Sequence, residues 1–215
     1  MNNKINTPSF WNIQIKKNQN TIIHSPIYIH KNKIILNELK NINGKMLDVG
    51  IGYGHIEKLI YEKKLDLKLY GLDISEFAIN SITKKYKGRF IIGDVDNIPF
   101  NKNYFNCVLA LDILEHLNVH KCTVGLLEIN RVLDLNGLLI ISVPLNENKF
   151  DTQRNRHIQK YSLEKIERQL KKTGFQIKNK FYLSAFRKFY RIKYLLNKLF
   201  QFSNPNLLIV VAKKK

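Results

Sequence analysis

"MLDVGIGYGHI", Met46 to Ile56, sets Gly50, Gly52 and Gly54 at alternate positions and places Asp48 two residues ahead of the first. The apolar run Met46–Val49 ends at a glycine. Ile56, Leu59, Ile60 and Lys63 then recur at helical spacing. The pattern predicts a strand, a bare turn and a helix. Glycine admits backbone conformations that other residues resist, and a turn without Cβ atoms lets a ligand lie against the main chain. The helix that follows points its unpaired N–H groups and the positive end of its dipole at that ligand.

Outward from this turn, strands and helices alternate. Helices are predicted before residue 20 and over about 26–40. "LKLYGLDI", "GRFIIGD", "YFNCVLALD" and "GLLIISVP" read as further strands. Between them lie "SEFAINSITKKYK", opened by the N-capping Ser75, and a helix over about 119–133. "SLEKIERQLKKTG" has an N-cap at Ser162 and a terminal Gly174. "FQIKNKFYL" and "NLLIVVAKK" complete seven strands, with a basic helix over about 185–202 between them. This alternation predicts an α/β fold: a seven-stranded, mostly parallel sheet with helices on both faces. Right-handed crossovers put each loop after a strand on one edge, where such sheets bind ligands. One domain is expected over 1–215: N-terminal helices or a lid over 1–44, the core over 45–183, and the basic helix with the last strand over 184–215.

Composition agrees with a folded, water-soluble chain, at 44% apolar and 25% charged residues. The longest apolar runs fall short of a membrane span, and no signal peptide is read at the N-terminus. Cys107 and Cys122 are expected as reduced thiols in a cytoplasmic protein, and no metal site is predicted. The net charge of +19 is unevenly spread. Residues 46–150 carry twelve Lys/Arg against thirteen Asp/Glu, whereas residues 151–215 carry seventeen against three. Basic ends around a neutral middle point to an anionic partner: a membrane surface, a nucleic acid, or a phosphorylated or carboxylated substrate.

Two ligand classes use such a glycine turn. A dinucleotide calls for GxGxxG; here the third glycine comes one residue early and His55 stands in its place. S-adenosylmethionine carries a positive amino group and sulfonium, so Asp48 would help it and would repel a pyrophosphate. Asp73, ending the second strand, suits ribose hydroxyls. Asp94, after the third, suits an adenine amino group, with Ile74 and Val95 against the ring.

"LDVGIGYG", "LYGLDIS", "GDVDNIPF", "FNCVLALDILEHL" and "INRVLDLNGLLIISVP" occur in that order. Over roughly residues 40–180 they resemble the motifs of class I S-adenosylmethionine-dependent methyltransferases, closest to the small-molecule group that includes quinone-biosynthesis enzymes. The resemblance implies a Rossmann-like methyltransferase fold and S-adenosyl-L-methionine as cofactor. It makes Asp48, Gly50, Gly52 and Gly54 the cofactor loop, Asp73 the ribose ligand and Asp94 the adenine ligand. Asp112, ending the fourth strand, is placed beside them. Asn106 replaces an aspartate usual in the family and is expected to face away from the ligand.

Methyl transfer to a nucleophile rests largely on positioning, with a base needed where the nucleophile carries a proton. Glu115 and His116 follow the fourth strand, and His116 is a candidate base because a free imidazole titrates near neutral pH. "VPLNENKFDTQRNRHIQKYS" lacks helical periodicity and reads as an acceptor-side loop. Its Arg154, Arg156, His157 and Tyr161 are candidates for binding a polar or anionic acceptor. Phe10 and Trp11 suit a lid. In the basic helix Phe186, Phe189, Tyr190, Leu196, Leu199 and Phe200 form an apolar face, with Arg187, Lys188, Arg191 and Lys198 mostly opposite. Packing on the sheet or on a second subunit is the commoner outcome for such a helix, and a membrane interface is the alternative.

The reading is an enzyme, cytoplasmic or peripheral to the inner membrane surface, that methylates a small-molecule, sugar or lipid-linked acceptor. Oxygen is favoured over nitrogen or carbon, because no "NPPY"-like run follows the fourth strand. The competitors are an RNA methyltransferase using the basic termini, a non-catalytic cofactor-binding protein, and a nicotinamide-dependent reductase. Nucleic acid ranks below a small acceptor, since no RNA-binding module is recognised. The oligomeric state is left open.

Overall fold

A computed structural model describes residues 6–17, 25–186 and 189–215. Its centre is a seven-stranded sheet ordered β3-β2-β1-β4-β5-β7-β6. The strands are β1 (Gly44–Val49), β2 (Leu67–Asp73), β3 (Arg89–Ile92), β4 (Phe105–Leu111), β5 (Leu133–Pro144), β6 (Phe175–Leu183) and β7 (Leu207–Lys214). β1 to β5 run parallel, and β7 lies antiparallel between β5 and β6. The helices are α1 (Pro8–Lys17), α2 (Pro26–Leu39), α3 (His55–Glu62), α4 (Glu76–Thr83), α5 (Val119–Val132), α6 (Lys149–Asn155), α7 (Leu163–Lys172) and α8 (Tyr190–Phe200), with a short 3-10 turn at Leu114–His116.

The central strands are covered on both faces and are largely apolar, whereas the edge strands β3 and β6 stay partly exposed, and β6 carries Gln176, Lys178, Asn179 and Lys180. Alternate residues serve different layers. Leu47, Val49, Val108 and Ala110 pack with Leu126 and Ile129 of α5 and Ile166 and Leu170 of α7. Met46, Cys107 and Leu109 pack with Ile35 and Leu39 of α2 and Ile56 and Ile60 of α3. A third cluster joins Ile15 of α1 to Ile79 and Ile82 of α4. Truncating Leu109 or Leu126 to alanine would cost about 2–5 kcal/mol, because neither site can collapse around the cavity. The expected serine caps are present: Ser75 Oγ accepts from Ala78 N at 3.1 Å, and Ser162 caps α7. Both cysteines are buried and free. Asn106 Oδ1 accepts from Lys45 N at 2.9 Å, on the side away from the ligand edge.

Three expectations change. β5 starts at Leu133 rather than near 137, directly after α5, and its pairing with β4 shifts register between Phe105 and Cys107. The segment after β5 contains α6, capped by Asn148 and ended by Arg156 at φ +60°; a helix this short shows no periodicity. The basic helix is shorter than predicted and buries no residue. Arg187 and Lys188 of that prediction lie outside the described residues. Among the described residues no helix is long and apolar enough to cross a membrane.

Candidate active site

The chain order of the sheet reverses between β1 and β4, and a cavity of about 910 Å³ opens there at the strand C-termini. Asp48, Gly50, Gly52, Asp73, Ile74, Asp94, Val95, Asp112, Glu115, His116, Arg154, Arg156 and His157 all line it. The topology thus collects residues spread over more than a hundred positions. α1 lies across the opening. Asn12 Oδ1 accepts from Ser75 Oγ at 2.7 Å, and Asn6 Nδ2 donates to the His116 carbonyl at 2.9 Å. Phe10 and Trp11 also line the cavity, and Trp11 meets His116 edge-to-face at 4.8 Å.

In the glycine turn the three positions do different work. Gly50, Gly52 and Gly54 all have positive φ, at +78°, +53° and +68°. At Gly52 an added Cβ would meet nothing nearer than the Gly50 carbonyl at 3.9 Å, so this is the position where main chain faces open space. At Gly54 an added Cβ would stand 2.0 Å from Ile82 Cδ1. Gly54 is absent from the cavity wall, and its role is close packing of α3 on α4, which corrects its assignment as a ligand contact. Gly50 combines both roles: it borders the cavity, while its missing Cβ makes room for Ile113.

Four acids surround the cofactor end. Asp73 Oδ2 accepts from Gly52 N at 2.9 Å and Oδ1 from Ser75 N at 2.8 Å. It thereby braces the glycine turn, and remaining lone pairs on both oxygens can still accept from a ligand. Burial raises its pKa against those two hydrogen bonds. Asp48 is 4% exposed and its Oδ1 has no hydrogen-bond partner among the described residues. Burial, then the neighbouring Glu57 carboxylate, pushes Asp48 well above the usual carboxylate range. Glu57 lies on α3, where helical spacing had marked no functional role. It is fully buried, neither of its oxygens has a partner among the described residues, and burial raises its pKa to about 7. The fourth acid, Asp94, accepts from Val95 N at 2.8 Å, and Lys121 pairs with its other oxygen. Lys121, on the first turn of α5, is a neighbour that sequence reading missed.

Asp112 has a different role from the one predicted. Its carboxylate pairs with Lys31 Nζ and accepts from Tyr28 Oη at 2.9 Å and Ser142 Oγ at 2.5 Å. Burial would raise its pKa, but Lys31, Ser142 and Tyr28 together outweigh that and hold it below the usual range. Asp112 borders the cavity yet spends its oxygens tying α2 to the end of β4, so it is a brace rather than a free cofactor ligand.

At the opposite end, the chain after α6 returns to the 3-10 turn. Ile158 N and Gln159 N donate to the Glu115 carbonyl at 2.8 and 3.0 Å. This brings His157 against His116, with ring centroids 4.7 Å apart. His157 Nδ1 bonds Glu147 Oε2 at 2.7 Å. Burial, then the electrostatic effect of the adjacent His157 ring, lowers His116 to about pKa 4. The rationale for His116 as a base, an unperturbed imidazole, therefore fails: at neutral pH the ring is uncharged and weakly basic. Arg154 and Arg156 line this end as expected. Tyr161 does not. It is buried behind the wall, where its hydroxyl meets Cys122 Sγ at 3.5 Å and the Leu114 carbonyl at 3.4 Å, and it bridges Leu145.

A sulfonium nucleoside fits these residues. Asp48 offers a buried carboxylate oxygen without a partner, Gly52 offers open main chain at a helix N-terminus, and Asp73 and Asp94 stand at the next two strand ends. Residues 47–141 match a family described as "Methyltransferase domain". Demethylmenaquinone methyltransferase of Thermotoga maritima is 31% identical over 109 residues, which is 49% of this chain and 47% of that enzyme. The matched stretch covers only 40 to 59% of the first curated relatives. A methyltransferase structure from Archaeoglobus fulgidus aligns with a TM-score of 0.68 at 16% identity, over 86% of this chain and 92% of that one. The 1,6-didemethyltoxoflavin-N1-methyltransferase of Burkholderia thailandensis, solved with S-adenosylhomocysteine, aligns with a TM-score of 0.71 at 15% identity, over 97% and 87%. At such identities the structural likeness is one of fold. Motif order, domain match and fold agree that residues 47–141 form a methyltransferase domain, carried on the sheet of the S-adenosylmethionine-dependent methyltransferases.

Proposed function

We propose that the protein transfers a methyl group from S-adenosylmethionine to a hydroxyl of a small-molecule, sugar or lipid-linked acceptor, one that carries negative charge. The observation that carries the cofactor half is the buried, unpartnered Asp48 oxygen beside the open main chain of Gly52. Bound there, the cofactor supplies a methyl already activated by positive sulfur. Asp48 would hold the cationic amino group, the glycine turn the carboxylate, and Asp73 the ribose hydroxyls. α1 would exclude water, and Arg154 and Arg156 would draw and orient the acceptor. Calorimetry with S-adenosylhomocysteine tests the first half, and no uptake would end the reading. Incubating cell extract with labelled S-adenosylmethionine, and identifying the product by mass, tests the second; labelled RNA in place of a small molecule would favour the RNA competitor.

A second element of the proposal concerns α8, whose exposed face favours an anionic bilayer surface. Tyr190 and Tyr194 turn inward onto His30, with ring centroids 5.8 and 4.6 Å from it. Ile192, Leu195, Leu196 and Leu199 point the opposite way, with Leu199 67% exposed and Phe200 72%. At 100° per residue they and Phe200 span an arc about 140° wide, flanked by Arg191 and Lys198 on one side and Lys193 on the other. α8 buries none of its residues, and it meets the core beneath it through Tyr194 while its leucines stay outside. An outward apolar arc edged by cations is the geometry of an interfacial helix, and the surplus of basic residues over 151–215 complements anionic headgroups. Co-sedimentation with vesicles containing phosphatidylglycerol is expected, and weaker binding to neutral vesicles. A concentration-dependent dimer with no vesicle binding would replace the bilayer with a second copy.

A further inference from the structure

We propose that Glu115, His116 and His157 bind a first-row divalent transition-metal ion at the acceptor end of the cavity. One carboxylate oxygen and one nitrogen from each ring lie within 4.8 Å of one another. An ion central to three atoms at that limit would sit about 2.8 Å from each, so movements under about 1 Å give the 2.0–2.2 Å expected for such ligands.

Two further observations point to a cation. Glu115 is 1% exposed, and its Oε2 has no hydrogen-bond partner among the described residues. A buried carboxylate oxygen without a donor is costly and therefore rare, and a bound cation would satisfy it. The second observation is the support behind the rings. His157 Nδ1 is engaged by the Glu147 carboxylate at 2.7 Å, with both side chains 9% exposed. His116 Nδ1 faces the Arg156 carbonyl at 3.4 Å. With Nδ1 engaged, each ring has Nε2 left to coordinate, and a carboxylate behind a histidine is the arrangement that fixes tautomer and orientation in metal sites. Glu115 and His116 are adjacent but His157 is 41 positions on, brought in by the bonds of Ile158 and Gln159 to the Glu115 carbonyl. That separation is why the sequence predicted no metal site.

Two imidazoles and one carboxylate favour Zn²⁺, Co²⁺ or Mn²⁺ over Mg²⁺ or Ca²⁺, which prefer oxygen donors. Three protein ligands beside a cavity leave positions open for substrate. The ion would take an acceptor that presents two neighbouring oxygens, at least one a hydroxyl, and would lower that hydroxyl's pKa so that it releases its proton to solvent water and binds as an oxyanion. The acceptor's role rests on the methyl-transfer reading; ion binding does not.

The test is a Co²⁺ titration of the chelator-stripped full chain, followed by visible absorption and calorimetry, with Zn²⁺, Mn²⁺ and Mg²⁺ in parallel. One equivalent of Co²⁺ is expected, with Mg²⁺ at least tenfold weaker and catechol perturbing the Co²⁺ spectrum. His157→Ala and Glu115→Gln should each weaken Co²⁺ binding at least 100-fold, and Glu147→Gln about 10–100-fold. S-adenosylhomocysteine binding, retained in His157→Ala, reports that the variant is folded. No stoichiometric uptake by the wild-type chain, undiminished affinity in folded His157→Ala, or Mg²⁺ binding as tightly as Co²⁺ would each overturn the proposal. Co²⁺ uptake without S-adenosylhomocysteine uptake would retain the ion site and end the methyl-transfer reading. The converse result would do the reverse.

Discussion

Replacing Gly52 and Gly54 in turn separates ligand contact from packing within a single turn. Gly52 sits at φ +53°, where a Cβ costs about 1–2 kcal/mol. Its Cβ would meet no atom closer than 3.9 Å, so no packing penalty is added. For a chain of this length each kcal/mol moves the melting temperature by about 2–4 °C. Gly52→Val should therefore fold and melt about 2–8 °C below wild type. Its branched side chain would project where the cofactor must reach main chain, and S-adenosylhomocysteine affinity should fall at least 100-fold. Gly54→Val carries the same backbone cost plus a clash at 2.0 Å with Ile82. Overpacking adds about 1–3 kcal/mol, so its melting temperature should drop by about 4–20 °C, while whatever remains folded keeps more of its affinity. Thermal melts and calorimetry on the two variants decide the matter. Near wild-type affinity in folded Gly52→Val would refute the placement of the cofactor, and equal losses of affinity in both would refute the division of labour in the turn.

Lys31→Met should destabilise the protein by about 1–3 kcal/mol, read by chemical denaturation, because it leaves the partly buried Asp112 carboxylate without its cation; adding Asp112→Asn should restore part of that, and no recovery would mean that Lys31 acts through packing alone. Glu57 has a folded pKa of about 7, above the ordinary 4.5, so the folded state holds a proton that the unfolded chain releases. The stability of the cofactor-free protein should accordingly fall as pH rises from about 4.5 to about 7, and Glu57→Gln should flatten that slope in melts at pH 5 and pH 7.5. Leu195→Lys with Leu199→Lys should abolish sedimentation with anionic vesicles and leave S-adenosylhomocysteine binding unchanged, since neither residue borders the cavity; vesicle binding that survives would place the contact elsewhere.

The sheet was legible because its strands are short apolar runs closed by glycine, proline or aspartate, and because Ser75 and Ser162 announce their helices. The cofactor end was legible for the same local reason: Asp48, Asp73 and Asp94 each end a strand or follow one directly, and topology does the rest. What escaped was every contact between distant segments in which a charge turns inward. Glu57 reads as a solvent-facing helical residue, yet it lies buried near Asp48. Lys31 belongs to a lysine-rich helix, and nothing local distinguishes it from Lys33, yet it is 3% exposed and paired to a strand end 81 residues away. Tyr161 was placed at the acceptor by its neighbours in sequence, although its bridge to Leu145 turns it into the core. In α8 the apolar positions were found, but which face meets the protein depends on His30, a partner about 160 residues earlier.

Those inward charges explain how one cavity can serve two unlike ligands. Asp48, Glu57 and Asp73 cluster at the cofactor end, where burial raises all three pKa values and a positive ligand would favour their ionised forms. Arg154 and Arg156 give the other end the opposite sign. Between them α2 inserts Lys31, whose charge favours ionisation of both Asp48 and Glu115 while its ammonium group is held by Asp112. A buried cation fixed in this way cannot swing out to neutralise either ligand. It tempers the acids, and under the proposed function this would suit the cofactor end to a cation and leave the acceptor end to oxygen donors bearing negative charge. On this argument the pair is worth more for the polarity of the cavity than for stability, because an apolar pair of the same volume could support the fold equally well but would remove the charge that favours ionisation of Asp48 and Glu115.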